Sequence, residues 1–282
     1  MFTVLEKRRL NDSMTLMVVD APFIAKKAQA GQFIILRVNE FGERIPLTIA
    51  DYDREKGTIT IIFQKVGKTT LLLDQLEEGE KILDFIGPLG TASHLEGYHK
   101  AAVIGGGAGC AIAYPQAKAL HEMGAKVDMI AGFRNQDIVI LEEEMRAASE
   151  NLFVMTDDGS NGNKGFVTDA LKKQIEAGVN YDLVIAIGPL PMMRAVCELT
   201  RPYAIKTIIS MNPIMIDGTG MCGGCRVTVG GETKFACVDG PDFDGHLVDF
   251  DEAILRTRTY REDEGEATRE YNCRLMEGAK NG

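Results

Sequence analysis

The residues with the most chemistry in them are Asp217-Gly-Thr-Gly-Met-Cys222-Gly-Gly-Cys225 and, after eleven intervening residues, Cys237. Half of the chain's six cysteines lie in this one stretch, set among glycines. Written as a pattern it is D-x4-C-x2-C-x11-C. A plant-type [2Fe-2S] cluster is held by C-x4-C-x2-C and a fourth cysteine further on. The stretch has that spacing with a carboxylate in place of the first thiolate. Gly218, Gly220, Gly223 and Gly224 suit a loop that must give room to sulfide and turn its N–H groups toward sulfur. The same ligands, Asp217, Cys222, Cys225 and Cys237, could hold a zinc ion. A structural zinc site has a second close ligand pair, and Cys237 has no such neighbour, so the spacing favours iron without excluding zinc. Aspartate is a harder ligand than thiolate and should shift the potential and lability of a cluster. A [2Fe-2S] cluster moves single electrons, which points to an electron-transfer protein.

Two further stretches are suited to phosphate. Gly105-Gly-Gly-Ala-Gly109 joins an apolar strand to a helix, where free N–H groups and the helix dipole favour an anion. The G-x-G-x-x-G spacing of an ordinary dinucleotide fold is not met, because Cys110 stands where the last glycine would be. Val66-Gly67-Lys68-Thr69-Thr70 opens another helix. It lacks the earlier glycine of a Walker A loop, since that position is Ile62. A helix start that binds a flavin pyrophosphate explains Gly67, Thr69 and Thr70 instead. Arg44-Ile-Pro46-Leu47-Thr48 lies on an expected strand, where Arg44 could pair with phosphate and the backbone after it could face a flat ring. Asp157-Asp158-Gly159 follows an expected parallel strand. There an acidic side chain would reject a 2′-phosphate and favour NAD(H), the bland alternative being an acidic turn. His94, His99, His121 and His246 show no metal or triad spacing.

These groups need a scaffold, and the chain reads as three parts and a tail. Residues 1–97 contain short β-rich runs, Phe2–Leu10, Met14–Ala21, Gly31–Val38, Arg44–Tyr52, Thr58–Val66 and Lys81–Phe85, with one helix near Thr69–Leu76. Many short strands with turn signals predict a small antiparallel barrel. Residues 98–210 alternate strand and helix from Ala101–Ile104 to Ile205–Ser210, which predicts a doubly wound parallel sheet. Residues 211–250 hold the cysteine loop, with a hairpin expected around Gly230-Gly231. The tail, 251–282, is heavily charged and reads either as a solvated or frayed helix or as an arm that grips a partner subunit. Cys110 and Cys197 read as buried small side chains, and Cys273 stands apart.

The formal net charge of −10 and pI of about 5.0 argue against nucleic acid and anionic membrane as partners. No apolar run has the length of a membrane span and no signal-peptide core opens the chain. Exposed cluster thiolates fit a reducing cytoplasm.

Taken in order, R-x-P-x-T on a barrel strand, a helix opened by G-x-T-T, G-P-L-G at 87–90, G-G-G-A-G at 105–109, Gly188-Pro189 and a C-terminal cluster loop resemble the ferredoxin–NADP reductase superfamily. The branch it resembles most carries a C-terminal [2Fe-2S] domain. That branch includes the electron-transfer subunit of dihydroorotate dehydrogenase B, the sulfide dehydrogenase beta subunit, and the small subunit of NADH-dependent reduced ferredoxin:NADP+ oxidoreductase. The resemblance covers residues 1–250, and Asp217 is similar to the pattern of the last two.

The resemblance implies that Arg44, Pro46, Leu47 and Thr48 bind FAD along its ring and phosphate, while Gly67, Thr69 and Thr70 hold its pyrophosphate. It implies that Gly105, Gly107 and Gly109 face NAD(H), with Gly188 and Pro189 beneath the nicotinamide. It also implies a larger flavin or iron–sulfur subunit as partner in a heterodimer, and hydride exchange between NAD(H) and FAD with single electrons leaving through the cluster. There are two departures. Ile187 stands where the superfamily often has cysteine, and Pro46 stands where many members have an aromatic residue. The rivals are the same fold serving dihydroorotate or sulfide, and a zinc-stabilised nucleotide-binding regulator.

Overall fold

The computed structural model describes the backbone of residues 1–280 and the side chains of residues 1–271; the side chain of Cys273 lies outside the described residues. The first seven strands are β1 (Phe2–Arg9), β2 (Met14–Asp20), β3 (Phe33–Arg37), β4 (Ile45–Asp53), β5 (Thr58–Gln64), β6 (Lys81–Ile82) and β7 (Asp84–Leu89). They form one antiparallel sheet in the order β6-β1-β2-β5-β4-β3-β7. Its two edge strands, β6 and β7, are separated in sequence only by Leu83, so the sheet curls until its edges nearly meet. Inward positions such as Val4, Met17, Ile34, Leu36, Ile59, Ile61 and Phe85 fill the barrel, as period-two alternation requires. Two short helices interrupt it, α1 (Pro22–Ala25) and α2 (Lys68–Asp74).

The parallel sheet follows as β8 (Lys100–Gly106), α3 (Gly109–Glu122), β9 (Lys126–Phe133), α4 (Glu142–Ala147), β10 (Asn151–Thr156), α5 (Val167–Glu176), β11 (Leu183–Ile187), α6 (Leu190–Thr200) and β12 (Thr207–Ser210). The strand order β10-β9-β8-β11-β12 is doubly wound, with the topological switch between β8 and β11. Leu183–Ile187 is buried throughout, as a central strand covered on both faces must be.

The C-terminal part adds a hairpin, β13 (Arg226–Val229) and β14 (Glu232–Phe235), then β15 (Asp242–Asp244), α7 (Phe250–Arg256) and α8 (Arg261–Lys280). Gly230 and Gly231 both take positive φ, at 60° and 80°, which makes the tight hairpin turn expected from sequence. The sequence gives no sign that β15 crosses back to pair antiparallel with β12 and complete the NAD-type sheet. The charged tail also has an outcome the sequence left open. Helix α8 lies on α2 of the same chain, with Gln75 bonded to the Tyr271 side chain.

One hydrophobic core unites all three parts. Phe33 and Ile35 of the barrel, Ile104 and Val184 of the parallel sheet, and Met211, Met215, Cys225, Ala236 and Cys237 of the cysteine segment pack in a single buried cluster. At Gly218 (φ 79°) an added Cβ would meet Ile35 and Leu89 side chains at 2.8 Å. The cysteine loop is thus pressed directly onto the barrel.

Candidate functional site

A cleft of about 990 Å³ opens between the barrel and the carboxyl ends of the parallel strands. This is where ligands bind in open α/β sheets. Strand alternation decides which barrel residues reach it. Pro46 and Thr48 pair with Ile35 and Phe33 in register and line the cleft, whereas Leu47 turns to the barrel interior against Ile34. Arg44 is exposed and outside the lining. Helix α2 also stands apart from the cleft. The Thr70 hydroxyl accepts from the N–H groups of Val66 and Gly67, both at 3.1 Å, and closes the helix start on itself. Thr69 is buried, and its hydroxyl donates to Glu43 at 3.4 Å.

From the parallel sheet, Gly107, Gly109, Asp157, Gly188 and Pro189 all line the cleft. Gly105 sits inside β8 against Cys110 and does not; Gly106 takes the facing position instead. Gly109 opens α3 where a Cβ would stand 2.3 Å from the Ile187 carbonyl oxygen, so only glycine lets the helix start lie beside the Gly188 turn. Cys110 is fully buried, and burial pushes its thiol up to about 12. It does not replace the cysteine missing at Ile187. Cys197 is buried likewise, with its thiol also pushed up to about 12 by burial.

The Asp157 N–H donates to Phe133 O at 3.0 Å, which ties the end of β10 to the end of β9. That contact puts Asp157 and Arg134 together on the cleft wall. Asp158 is spent locally: the Ser160 N–H binds its Oδ1 at 2.9 Å and holds its carboxyl below the ordinary value. Arg134, Phe166 and Ser210 were missed from sequence. Arg134 and Ser210 lie at or just beyond carboxyl ends of parallel strands, so the switch-point rule applied strand by strand would have flagged them; Phe166 sits well past β10, at the start of α5, and carries no such signal.

In the cysteine loop, the Cys225 and Cys237 sulfurs lie 3.1 Å apart in the core. Burial first, then the Cys225 neighbour, pushes the Cys237 thiol up to about 12. A bound cation is the charge that would remove such a proton. Asp217 is held ionised: the Thr219 hydroxyl first, then the Cys222 N–H at 3.2 Å, pull its carboxyl down to about 2. Cys222 is exposed. Among the described residues no three such side chains converge into a metal cage by themselves. The chain supplies a preformed thiol pair and, on one loop beside it, a carboxylate and a third thiol. That donor set fits an iron–sulfur centre.

Residues 103–198 match the family model of the oxidoreductase NAD-binding domain. Residues 212–249 match that of the iron–sulfur cluster binding domain of dihydroorotate dehydrogenase B. A Clostridium beijerinckii protein known as an uncharacterized protein in the adh 3′ region is 51% identical over 95% of this chain and 93% of its own. The Thermotoga maritima homolog of the dihydroorotate dehydrogenase B (NAD(+)) electron transfer subunit is 44% identical over 93% of this chain and 92% of its own. The chain belongs to the family of dihydroorotate dehydrogenase B electron-transfer subunits and their homologues. Within that family it is an oxidoreductase chain with an NAD-binding and an iron–sulfur domain. A chain of the flavin-based electron-bifurcating NADH-dependent reduced ferredoxin-NADP oxidoreductase has the same fold, with TM-score 0.91 and 41% identity, over 95% of this chain and 97% of that one. No described helix is long and apolar enough to cross a membrane.

Proposed function

We propose that this chain is the small electron-transfer subunit of a bifurcating, NADH-dependent reduced ferredoxin:NADP+ oxidoreductase. It would exchange a hydride between NAD(H) and FAD and pass single electrons through a [2Fe-2S] cluster to a larger partner subunit. The observation that carries this reading is Asp217 at the first ligand position of a loop pressed onto the flavin barrel. Met215, two residues before Asp217, lines the cleft, so cluster and cleft share a wall. FAD would supply the change from two-electron to one-electron chemistry. The chain's part is to hold the rings in contact and keep water out with Phe33, Pro46, Met192 and Met211.

In this reading Pro46 and Thr48 lie along the flavin ring, with Leu47 holding the same strand to the barrel and Arg44, just before it, placed toward the flavin's phosphate. The helix start after Gly67 would serve the flavin's pyrophosphate beyond the edge of the cleft, through backbone N–H groups, with Thr69 and Thr70 holding that helix start in place. Gly107 and Gly109, backed by Gly105, take the NAD(H) phosphates, with Gly188 and Pro189 beneath the nicotinamide and Asp157 on the adenosine ribose. Asp217, Cys222, Cys225 and Cys237 ligate the cluster. The working parts are residues 1–97 for FAD, 98–210 for NAD(H) and 211–250 for the cluster, in a cytoplasmic heterodimer. A second reading, service to dihydroorotate oxidation, is favoured by the family model matched at 212–249.

Anaerobic purification with iron, sulfide and FAD analysis, and EPR after NADH reduction, tests the proposal. Two irons, one FAD and a [2Fe-2S] signal per chain, with a co-purifying subunit that reduces NADP+, are expected. Zinc without flavin would overturn it. Co-purification with a dihydroorotate-oxidising subunit would select the second reading.

A further inference from the structure

We propose that the Asp242 carboxyl, reached from the cleft through Ser210 and from solvent through Ser93, carries away the flavin's proton when the flavin's electrons leave singly. This rests on the reading of the cleft as the meeting place of NAD(H) and FAD. A flavin reduced by hydride holds a ring N–H. When both electrons pass one at a time to an iron–sulfur acceptor, that N–H bond breaks and one proton is released for every two electrons. The proton needs an acceptor within reach. Among the cleft-lining side chains only Asp157 and Arg134 are ionisable, and both stand at the ends of β9 and β10. Where the barrel meets β12, the lining is Phe33, Pro46, Thr48, Ser210, Met211 and Pro241, with no acid or base of its own.

Asp242 lies directly behind that wall. It pairs with Ser210 across β12 and β15, so the Ser210 side chain stands beside its carboxyl on one face of the sheet. On the other side the Ser93 hydroxyl donates to Asp242 Oδ2 at 2.5 Å. Ser93 is half-buried and adjoins the exposed His94, which completes a route from cleft to surface. The remaining group facing the carboxyl is Gln116 of α3, whose Nε2 donates to Oδ2 at 3.1 Å. Gln116 is fully buried, and its Oε1 has no partner. With Asp242 protonated, a turn of that amide offers Oε1 as the acceptor for the new O–H. The site therefore has a hydrogen-bond arrangement for each protonation state. Burial raises the Asp242 carboxyl above its ordinary value, while Ser93, Ser210, Gln116 and His94 pull it back. That brings the group toward the pH at which a relay works.

The holoprotein tests this. Flavin reduction by NADH and flavin reoxidation by a one-electron acceptor such as ferricyanide are timed separately. In Asp242→Asn the ratio of reoxidation to reduction rate should fall by about 100-fold, the scale of a lost general base. The solvent isotope effect on reoxidation should change with it. Ser93→Ala should slow reoxidation less, with recovery on adding imidazole buffer. The reduced-minus-oxidised infrared spectrum should carry a protonated-carboxyl band that is absent in Asp242→Asn. An unchanged rate ratio and isotope effect, with no such band, would overturn the relay and leave Asp242 as a structural tie. If Asp242→Asn does not fold, Ser93→Ala and Ser210→Ala carry the same measurements. A preparation without flavin would defeat the functional reading itself, a different outcome from a flavoprotein whose reoxidation ignores Asp242.

Discussion

Replacing Gly109 by alanine should damage hydride transfer as well as the fold, where alanine at a control glycine damages the fold alone. The added Cβ would stand 2.3 Å from Ile187 O and 2.9 Å from Gly188 Cα. Both are backbone atoms of the cleft-lining turn that is proposed to face the nicotinamide, and neither can rotate away. An ordinary contact begins at 3.4 Å, so the start of α3 and the 187–188 turn must separate by roughly 1.1 Å, the difference of the two distances. A misplacement of about 1 Å between reacting groups can slow a reaction about 100-fold. The overpacking itself costs about 1–3 kcal/mol. Gly124→Ala is the control. Gly124 ends the same helix at φ 88° with open space around it, so alanine there adds strain of about 1–2 kcal/mol without moving anything. Stopped-flow flavin bleaching by NADH reads the rate and urea unfolding reads the stability. Gly109→Ala is expected to lose about 100-fold in rate, and Gly124→Ala to lose stability only. Equal rates in the two variants would refute the claim that this close approach sets the ring geometry.

Asp157→Ser removes a charged acceptor from the cleft wall, which is worth about 1.5–3 kcal/mol. KM for NADH should rise roughly 10- to 150-fold while NADPH gains, as steady-state kinetics with both nucleotides will show. Asp217→Cys should slow loss of the visible cluster spectrum to a chelator, and Asp217→Ala should speed it by roughly tenfold or more. For stability against pH, the folded state keeps a proton on Asp242 that the unfolded chain has already released. The part of wild-type stability that Asp242 contributes should therefore be fully present below the unfolded carboxylate value, about 3.9, and decline as pH rises toward the raised folded value. Urea unfolding of Asp242→Asn between pH 4 and 8 should lack that decline, and parallel curves would refute the shift. Alkylation of the folded, cluster-free chain should reach the exposed Cys222 and spare the buried Cys110 and Cys197, as peptide mapping will report.

The sequence by itself determined the parts whose information is local. Spacing over 217–237 pointed to an iron–sulfur loop and to candidate ligands, because a metal loop is short and its donors sit at fixed offsets. Alternating apolar strands and glycine turns named the barrel and the parallel sheet, because backbone periodicity is written residue by residue. The tertiary structure decided what depends on side-chain direction and on distant partners. Leu47 leaves the cleft because its neighbours Pro46 and Thr48 take the facing side of the pleat. Gly105 yields to Gly106 because the end of β8 is buried against Cys110. Asp242 lies 32 residues beyond Ser210 in the chain and 149 beyond Ser93, yet it meets both. Local pattern carries no trace of that meeting. It exists only because β15 returns to the edge of a sheet whose strand–helix alternation had ended at β12.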